Sequence, residues 1–487
     1  MRKYLLHVLI ILFVFLLAPT VSLADASRIY KENNNAVVVV TAYDERGNTI
    51  SQGSGFIVRR DGAVVTNYHV ISKARSIKVK AGDKVFDVEG LIFTDKENDL
   101  VVLKVRAKDM PVVKLGAIEK ENIGEYVYVI SSPEGFENTI SDGLLSGIRK
   151  MDGKREILQI TAPVSPGSSG GAVFNRNGEV IGVVTMLIKE AQNLNFAMPV
   201  KLIKDKIRSK RVTEIKGSGV EDYERTAEFW ATLGYHYDVA AMYKEAIESY
   251  KQALRIDPDW AVVYTGLGHA YSQLDMYKEA ADAFKQRTRM KPVSAEAYSN
   301  LGAVYTDLGM YKEAIDACKK AIRNDPDWAA AHNNLGYAYV KSGRNREAIE
   351  ACKQAIMLDP DDPKTYSILG GAYSDLGMKR EAFESYKQVI KIDPNRAKDH
   401  SNLGLVYMQL ATQPSISANA CNVYVFKAID AFKQAIRIDP DYANAHYLLG
   451  LAYFLLGDRD SAIEQYKILK KLDTELARML FNHIYRD

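Results

Sequence analysis

The chain has 487 residues, with 64 Lys and Arg against 61 Asp and Glu and a formal net charge of +3. This balance gives no broad basic field for nucleic acid or anionic lipid. No nucleotide loop, zinc spacing or cofactor fingerprint occurs, so neither a metal nor a cofactor is expected.

The N-terminus comes first. Arg2 and Lys3 precede an apolar run from Tyr4 to Ala18, and Ser22-Leu23-Ala24 places small residues where a signal peptidase cleaves. The run is shorter than the about 20 residues a membrane span needs. Residues 1–24 are therefore expected to be a signal peptide removed after Ala24. That would export the chain to a periplasmic or other extracytoplasmic space with no stable membrane span; left uncleaved, the segment would be an anchor.

Short apolar runs punctuated by Gly, Asp and Asn follow at 36–42, 55–59, 76–80, 85–93, 126–131, 157–161 and 180–188, without a long helical period. They predict an all-β region. Within it stand Thr66-Asn67-Tyr68-His69-Val70, Glu97-Asn98-Asp99-Leu100 and Gly167-Ser168-Ser169-Gly170-Gly171. These supply a base, a carboxylate and a nucleophile in the order His, Asp, Ser. A serine hydroxyl attacks well at neutral pH only if an imidazole takes its proton and a carboxylate fixes the tautomer of that imidazole. His69 is the only histidine between His7 and His236, so no other base is available in this region. Asp99 precedes the apolar run Leu100 to Val105, which puts it at the mouth of a core. The spacing selects Ser169 as nucleophile. The turn Gly167, Ser168 and Ser169 is expected to form the oxyanion hole, with the amides of Gly167 and Ser169 pointing at the oxyanion.

Residues 53–58 (GSGFIV), 66–70 (TNYHV), 98–105 (NDLVVLKV), 165–173 (SPGSSGGAV) and 195–199 (NFAMP) together resemble the trypsin-fold proteases of the HtrA/Deg type. The resemblance covers roughly residues 30–210. It implies two antiparallel six-stranded β-barrels with the triad His69, Asp99 and Ser169 in the cleft between them. The family's usual PDZ domain is not apparent after this region, and Ala162 stands where many relatives carry aspartate. By alignment, Pro163, Val164 and the strand Asn193-Leu194-Asn195 bind substrate and line the primary specificity pocket. That wall contains no acidic residue, so small or medium aliphatic side chains are favoured over basic ones before the scissile bond.

Beyond residue 226 the sequence repeats. Pro258, Pro292, Pro326, Pro360 and Pro394 are spaced by 34, and Pro440 follows after a further 12-residue insertion. Each unit carries an aromatic or histidine, then Leu-Gly, Tyr and Ala, the tetratricopeptide (TPR) signature. Seven repeats are expected over 227–260, 261–294, 295–328, 329–362, 363–396, 397–442 and 443–476, then a cap at 477–487. Such units stack into an all-α right-handed solenoid with a concave groove. His332, His400 and His446 occupy the aromatic position and are read as packing residues. Cys318 and Cys352 share one second-helix position, too far apart in stacked units for a disulfide, and Cys421 lies in the insertion. Asn300, Asn334 and Asn402 share a first-helix position that faces the groove in this family, and would bind extended peptide backbone through their carboxamides.

The expectation is thus a multidomain chain. An all-β, chymotrypsin-like double barrel over 25–212 precedes a linker at 213–226, flexible around Lys216-Gly217-Ser218-Gly219, and then the all-α TPR solenoid. Residues 25–212 are expected to fold by themselves. The expected function is an exported serine endopeptidase acting on protein or peptide substrates, with protein partners held in the TPR groove. The alternative is a non-catalytic extracytoplasmic TPR scaffold with a protease-fold docking module.

Overall fold

The structure, a computed structural model, describes residues 25–117, 122–133, 138–151, 155–185, 195–215, 219–413 and 417–486. The expected signal segment at 1–24 and the expected pocket residues Asn193 and Leu194 lie outside the described residues. The chain divides into two compact units, one ending at Asp275 and one beginning at Met276.

In the first unit, six strands close an antiparallel barrel in the order β1 (Val37–Tyr43), β2 (Thr49–Arg59), β3 (Ala63–Asn67), β6 (Leu100–Val105), β5 (Lys84–Asp95) and β4 (Ser76–Ala81). β-branched residues dominate these strands, as a pleated and half-buried surface favours. Val38, Val40, Ile57, Val64, Val79, Val101 and Leu103 fill the interior. A second sheet runs β11 (Ala172–Phe174), β8 (Tyr126–Ser131), β9 (Thr139–Met151), β10 (Arg155–Ile160), β13 (Asn195–Pro199) and β12 (Glu179–Thr185). β12 pairs back onto β11, which closes this sheet as well, and β7 (Lys114–Leu115) adds in parallel to β12. Its core gathers Val127, Val129, Leu145, Leu158, Val173, Val184 and Ala197. Both six-stranded barrels predicted from the sequence are therefore present.

The segment after β13 differs from the loose spacer its composition suggested. Thr213 and Leu91 exchange two backbone hydrogen bonds of 2.8 Å, and a Cβ on Gly90 would fall 2.4 Å from Thr213 O. Residues 216–218 are outside the described set, but beyond them Val220 and Tyr223 join the core of the first barrel and Phe229 packs against it. Apolar area drives this: a buried Val or aromatic side chain contributes about 1.5–3 kcal/mol relative to exposure. A barrel cut at residue 212 would lack part of its own core.

Thr226 caps the helix Ala227–Val239, its side chain accepting from Phe229 N, and the helices Tyr243–Ile256 and Ala261–Gln273 complete the first unit. The second unit contains the helix Tyr277–Arg289 and then helix pairs from Ala295–Asp307 with Tyr311–Asn324 to Ala443–Leu455 with Arg459–Leu472, followed by Thr474–Arg486. The glycine of most Leu-Gly pairs admits a side chain from the second helix. A Cβ on Gly302 would fall 2.3 Å from Cys318 Sγ, one on Gly336 2.7 Å from Cys352 Sγ, and one on Gly404 2.5 Å from a carbon of Phe432. Cys318 and Cys352 are free, and burial pushes their thiols up to about 12, so they act as small core residues.

The histidines at the aromatic position have a further role. His332, His400 and His446 each bring Nε2 to the carbonyl of the proline six residues earlier, Pro326, Pro394 and Pro440, at 3.0, 2.9 and 2.9 Å. A carbonyl only accepts, so the proton sits on Nε2 and each imidazole fastens the inter-repeat turn. The insertion lengthens one second helix, Ala418–Ile438, to 21 residues where Tyr311–Asn324 has 14.

Candidate active site

The local sequence sets His69 and Asp99 against each other. β3 ends at Asn67, and a single helical turn, Tyr68–Ile71, carries His69 at its start. Across β6, which pairs with β3, the turn Lys96 to Asp99 enters the strand with Asp99 at φ 53°, a left-handed conformation that aspartate tolerates. Asp99 O accepts from Asn67 Nδ2 at 2.9 Å and from Tyr68 N at 3.1 Å, which fastens the turn to the histidine segment.

The Asp99 carboxylate is fully buried. Its Oδ1 accepts from His69 N at 2.9 Å, and its Oδ2 accepts from His69 Nδ1 at 2.6 Å and from Thr185 Oγ1 at 3.4 Å. A buried charge is tolerable only with such partners. A carboxylate cannot donate, so the Nδ1 proton belongs to His69 and the Nε2 lone pair of the neutral ring is left to accept one. Thr185 ends β12, so the second barrel also contributes a donor to the acid.

The serine turn is built by its glycines and by Ser54. Gly167 and Gly170 have φ of 90° and 85°, in the region that favours glycine. Ser54, on β2, donates from N to Ser169 O at 2.7 Å and from Oγ to Gly167 O at 2.7 Å, and its Oγ accepts from Ser132 N at 2.8 Å. One residue of the first barrel thereby holds the turn of the second. A Cβ on Gly53 would fall 2.6 Å from Val70 Cγ2 and 3.0 Å from Ser169 O, so the residue after His69 and the serine turn both close on the space a side chain at 53 would need.

The two serines differ. Ser168 is buried, and its Oγ accepts from Ser131 Oγ at 3.1 Å and from Ser165 N at 3.3 Å, so its hydroxyl is part of the turn. Ser169 Oγ has no hydrogen-bond partner among the described residues, His69 included. Catalytic hydrogen bonds in unliganded sites are often long and tighten with substrate. The amide of Ser168 donates to Ser165 O at 2.9 Å, so Ser168 contributes to the turn through its backbone and side chain and not through a free amide. Gly167 N and Ser169 N have no acceptor among the described residues and remain available.

Of the residues expected to line a pocket, Pro163 is exposed, Val164 is half-buried against the second core, and Asn195 Nδ2 donates to Ala162 O at 2.9 Å, tying β13 to the segment before the serine turn. Ala162 is fully buried, and a Cβ on Gly143 would lie 2.2 Å from Ala162 N, so this backbone approach requires glycine at 143. In the second unit, Asn334 Nδ2 donates to Ser299 O and Oγ at 3.1 and 2.9 Å, so this amide nitrogen joins adjacent repeats. Asn300 and Asn402 are half-buried.

Gly170 gives a direct test of the turn. A Cβ there would fall 2.1 Å from Ser54 O and 2.4 Å from Thr66 Oγ1. Gly170→Ala is expected to lose about 2–4 kcal/mol from overpacking together with left-handed strain. Gly47→Ala, with φ 79° and nothing within 4 Å, should cost only about 1 kcal/mol of strain. Thermal denaturation of the two variants measures the difference, and equal losses would mean that the turn is not held against Ser54.

Two closed antiparallel barrels with this histidine, aspartate and serine-turn arrangement define the trypsin-like class of fold. Residues 53–183 match the family model of the trypsin-like peptidase domain. Residues 207–423 match that of the cilia and flagella-associated protein 70 C-terminal domain, 427–457 that of a TPR repeat and 443–474 that of a tetratricopeptide repeat.

A probable periplasmic serine endoprotease, DegP-like, of Pseudomonas fluorescens is 36% identical over 168 residues, covering 33% of this chain and 35% of that protein. Its counterpart in a Marinomonas species is 37% identical over 164 residues, 32% of this chain and 35% of that one. An anti-sigma-I factor of Acetivibrio thermocellus is 37% identical over 175 residues, 36% of this chain and 24% of that protein. The chain thus spans about a third of the length of the DegP-like relatives. A crystal structure of a protease from M. tuberculosis in its active form is 24% identical and covers 40% of this chain and 88% of that one, with a TM-score of 0.35. The chain carries a trypsin-like peptidase domain related to the HtrA/DegP proteases, followed by TPR repeats.

Proposed function

We propose that this chain is an exported serine endopeptidase whose TPR repeats recruit protein substrates or partners. The observation that carries this reading is the buried Asp99 carboxylate bonded to His69 Nδ1, which leaves Nε2 of the neutral ring as an acceptor. In the mechanism that follows, Ser169 Oγ gives its proton to His69 Nε2 and attacks the scissile carbonyl. The amides of Gly167 and Ser169 receive the oxyanion, a contribution of about 3–4 kcal/mol for one such donor elsewhere. His69, held by Asp99, returns the proton to the leaving amine, and water repeats the cycle on the acyl-enzyme.

Extended substrate would pair with the strand at Asn193 to Asn195 by β-augmentation, with an aliphatic side chain against Pro163 and Val164. Export rests on the N-terminal apolar segment, and no helix among the described residues is long and apolar enough to cross a membrane. Protein recruitment rests on the TPR repeats, whose stacked helices present extended surfaces.

Incubating the full chain with casein and mapping the products by mass spectrometry tests the proposal. Cleavage after Val, Ala or Ile is expected. Absence of hydrolysis would favour a TPR scaffold with a docking module, and cleavage mainly after Lys or Arg would refute the aliphatic pocket.

A further inference from the structure

The turn that delivers Asp99 is not completed within the barrel. Lys96 O accepts from Asp99 N at 3.3 Å and also from Tyr223 Oη at 2.5 Å. The next carbonyl, Glu97 O, accepts from Thr232 Oγ1 at 2.9 Å. Both donors lie beyond residue 212: Tyr223 precedes the helix Ala227–Val239, and Thr232 is on it. Both donors are buried, Tyr223 at 0% and Thr232 at 1% exposure, so their hydroxyls have no competing solvent to bond. Burial and the neighbouring Asp99 charge push the Tyr223 phenol well above its ordinary range, which keeps it a donor.

The same elements reach the histidine and the second barrel. The Tyr223 ring meets that of Tyr68, the residue before His69, edge-on at 5.1 Å, and Tyr223 N donates to Ser72 Oγ at 2.9 Å just after the histidine turn. Lys96 pairs with Glu221 in the same segment. One helical turn beyond Thr232, His236 stacks on Phe196 of β13 with centroids 6.3 Å apart and planes 19° apart, and Tyr235 Oη donates to Arg149 O of β9 at 3.4 Å. The helix therefore touches the acid turn of one barrel and two strands of the other.

We propose that the first TPR helix and the segment before it are a working part of the protease: Tyr223 and Thr232 are positioning residues that hold the Lys96 to Asp99 turn, and through it the orientation of His69. The proposal rests on the reading of His69, Asp99 and Ser169 as a triad. The turn carries Asp99 in a left-handed conformation, and one of its carbonyls leaves it toward the helix and another toward the segment before the helix. Without the two donors Glu97 O loses its bond from Thr232 and Lys96 O keeps only the 3.3 Å bond from Asp99 N, so the turn is held less firmly. A displacement of about 1 Å in such a group costs on the order of a hundredfold in turnover.

The test uses the full chain with Tyr223→Phe, Thr232→Val, the pair together, and Thr232→Ser as the conservative variant. Two readouts are taken: kcat and KM on a short aliphatic peptide, and the low-field proton signal of the His69 Nδ1 to Asp99 hydrogen bond. The double variant is expected to lose on the order of tenfold to a hundredfold in kcat with KM little changed. Its low-field signal should shift or broaden, while Thr232→Ser retains both readouts. Unchanged kcat and an unchanged signal in the double variant would overturn the proposal. The proton signal does not depend on turnover. If the parent chain hydrolyses nothing, the triad reading fails by itself, and the signal still decides whether Tyr223 and Thr232 hold the acid turn.

Discussion

Replacing Ser169 by alanine is expected to reduce hydrolysis of casein or a short peptide on the order of a millionfold while the fold persists. Ser169 Oγ is the hydroxyl of the turn left without a partner among the described residues, and its loss removes the bond-forming atom without removing a hydrogen bond. Ser168→Ala is expected to behave in the opposite way. Its hydroxyl accepts from Ser131 and Ser165, so its removal leaves two donors unpaired and costs about 1–3 kcal/mol of stability, whereas the nucleophile remains. Steady-state rates and melting curves of both variants distinguish the two roles. A Ser169→Ala protein that still cleaves, or a Ser168→Ala protein that alone is inactive yet stable, would reassign the nucleophile.

The second large effect is expected at Asp99. Asp99→Asn preserves size and burial but presents an amide to His69. Where the new side chain turns its NH2 toward Nδ1, the ring must accept there and carry its proton on Nε2, the atom needed as base. A loss on the order of ten-thousandfold in kcat is expected, with KM little changed. Loss of less than tenfold would mean that the carboxylate does not set the tautomer. Thr185→Val is a useful companion, because Thr185 Oγ1 at 3.4 Å is the longest of the three contacts to the carboxylate and its removal should have a much smaller effect.

The barrels and the pairing of His69 with Asp99 were legible because each depends on short stretches. β-branched runs define the strands, and the run Leu100 to Val105 after Asp99 fixes where the acid enters the core. The repeats were legible from their period, since Leu-Gly recurs wherever the second helix sends Cys318, Cys352 or Phe432 against the first.

What escaped the sequence is non-local. Ser54 lies inside a motif quoted for its resemblance, yet nothing in the chain order shows that it holds Gly167 and Ser169, over a hundred residues away. Thr185 is an ordinary strand-end threonine until β12 brings it to Asp99. Tyr223 follows a Gly-Ser stretch whose composition reads as a spacer, and its burial becomes visible only with the first barrel assembled around it. Asn334 shares its repeat position with Asn300 and Asn402, but Ser299 on the preceding repeat takes its amide. Periodicity gives the position of a residue and not the partner it finds.

The central claim, that His69 and Asp99 activate Ser169, is tested most directly by reacting the full chain with an active-site-directed fluorophosphonate and locating the adduct by peptide mass spectrometry. One adduct per chain on Ser169 is predicted, absent from Ser169→Ala and strongly slowed in Asp99→Asn. A chain that takes no label, or takes it on Ser168 or elsewhere, would contradict the account.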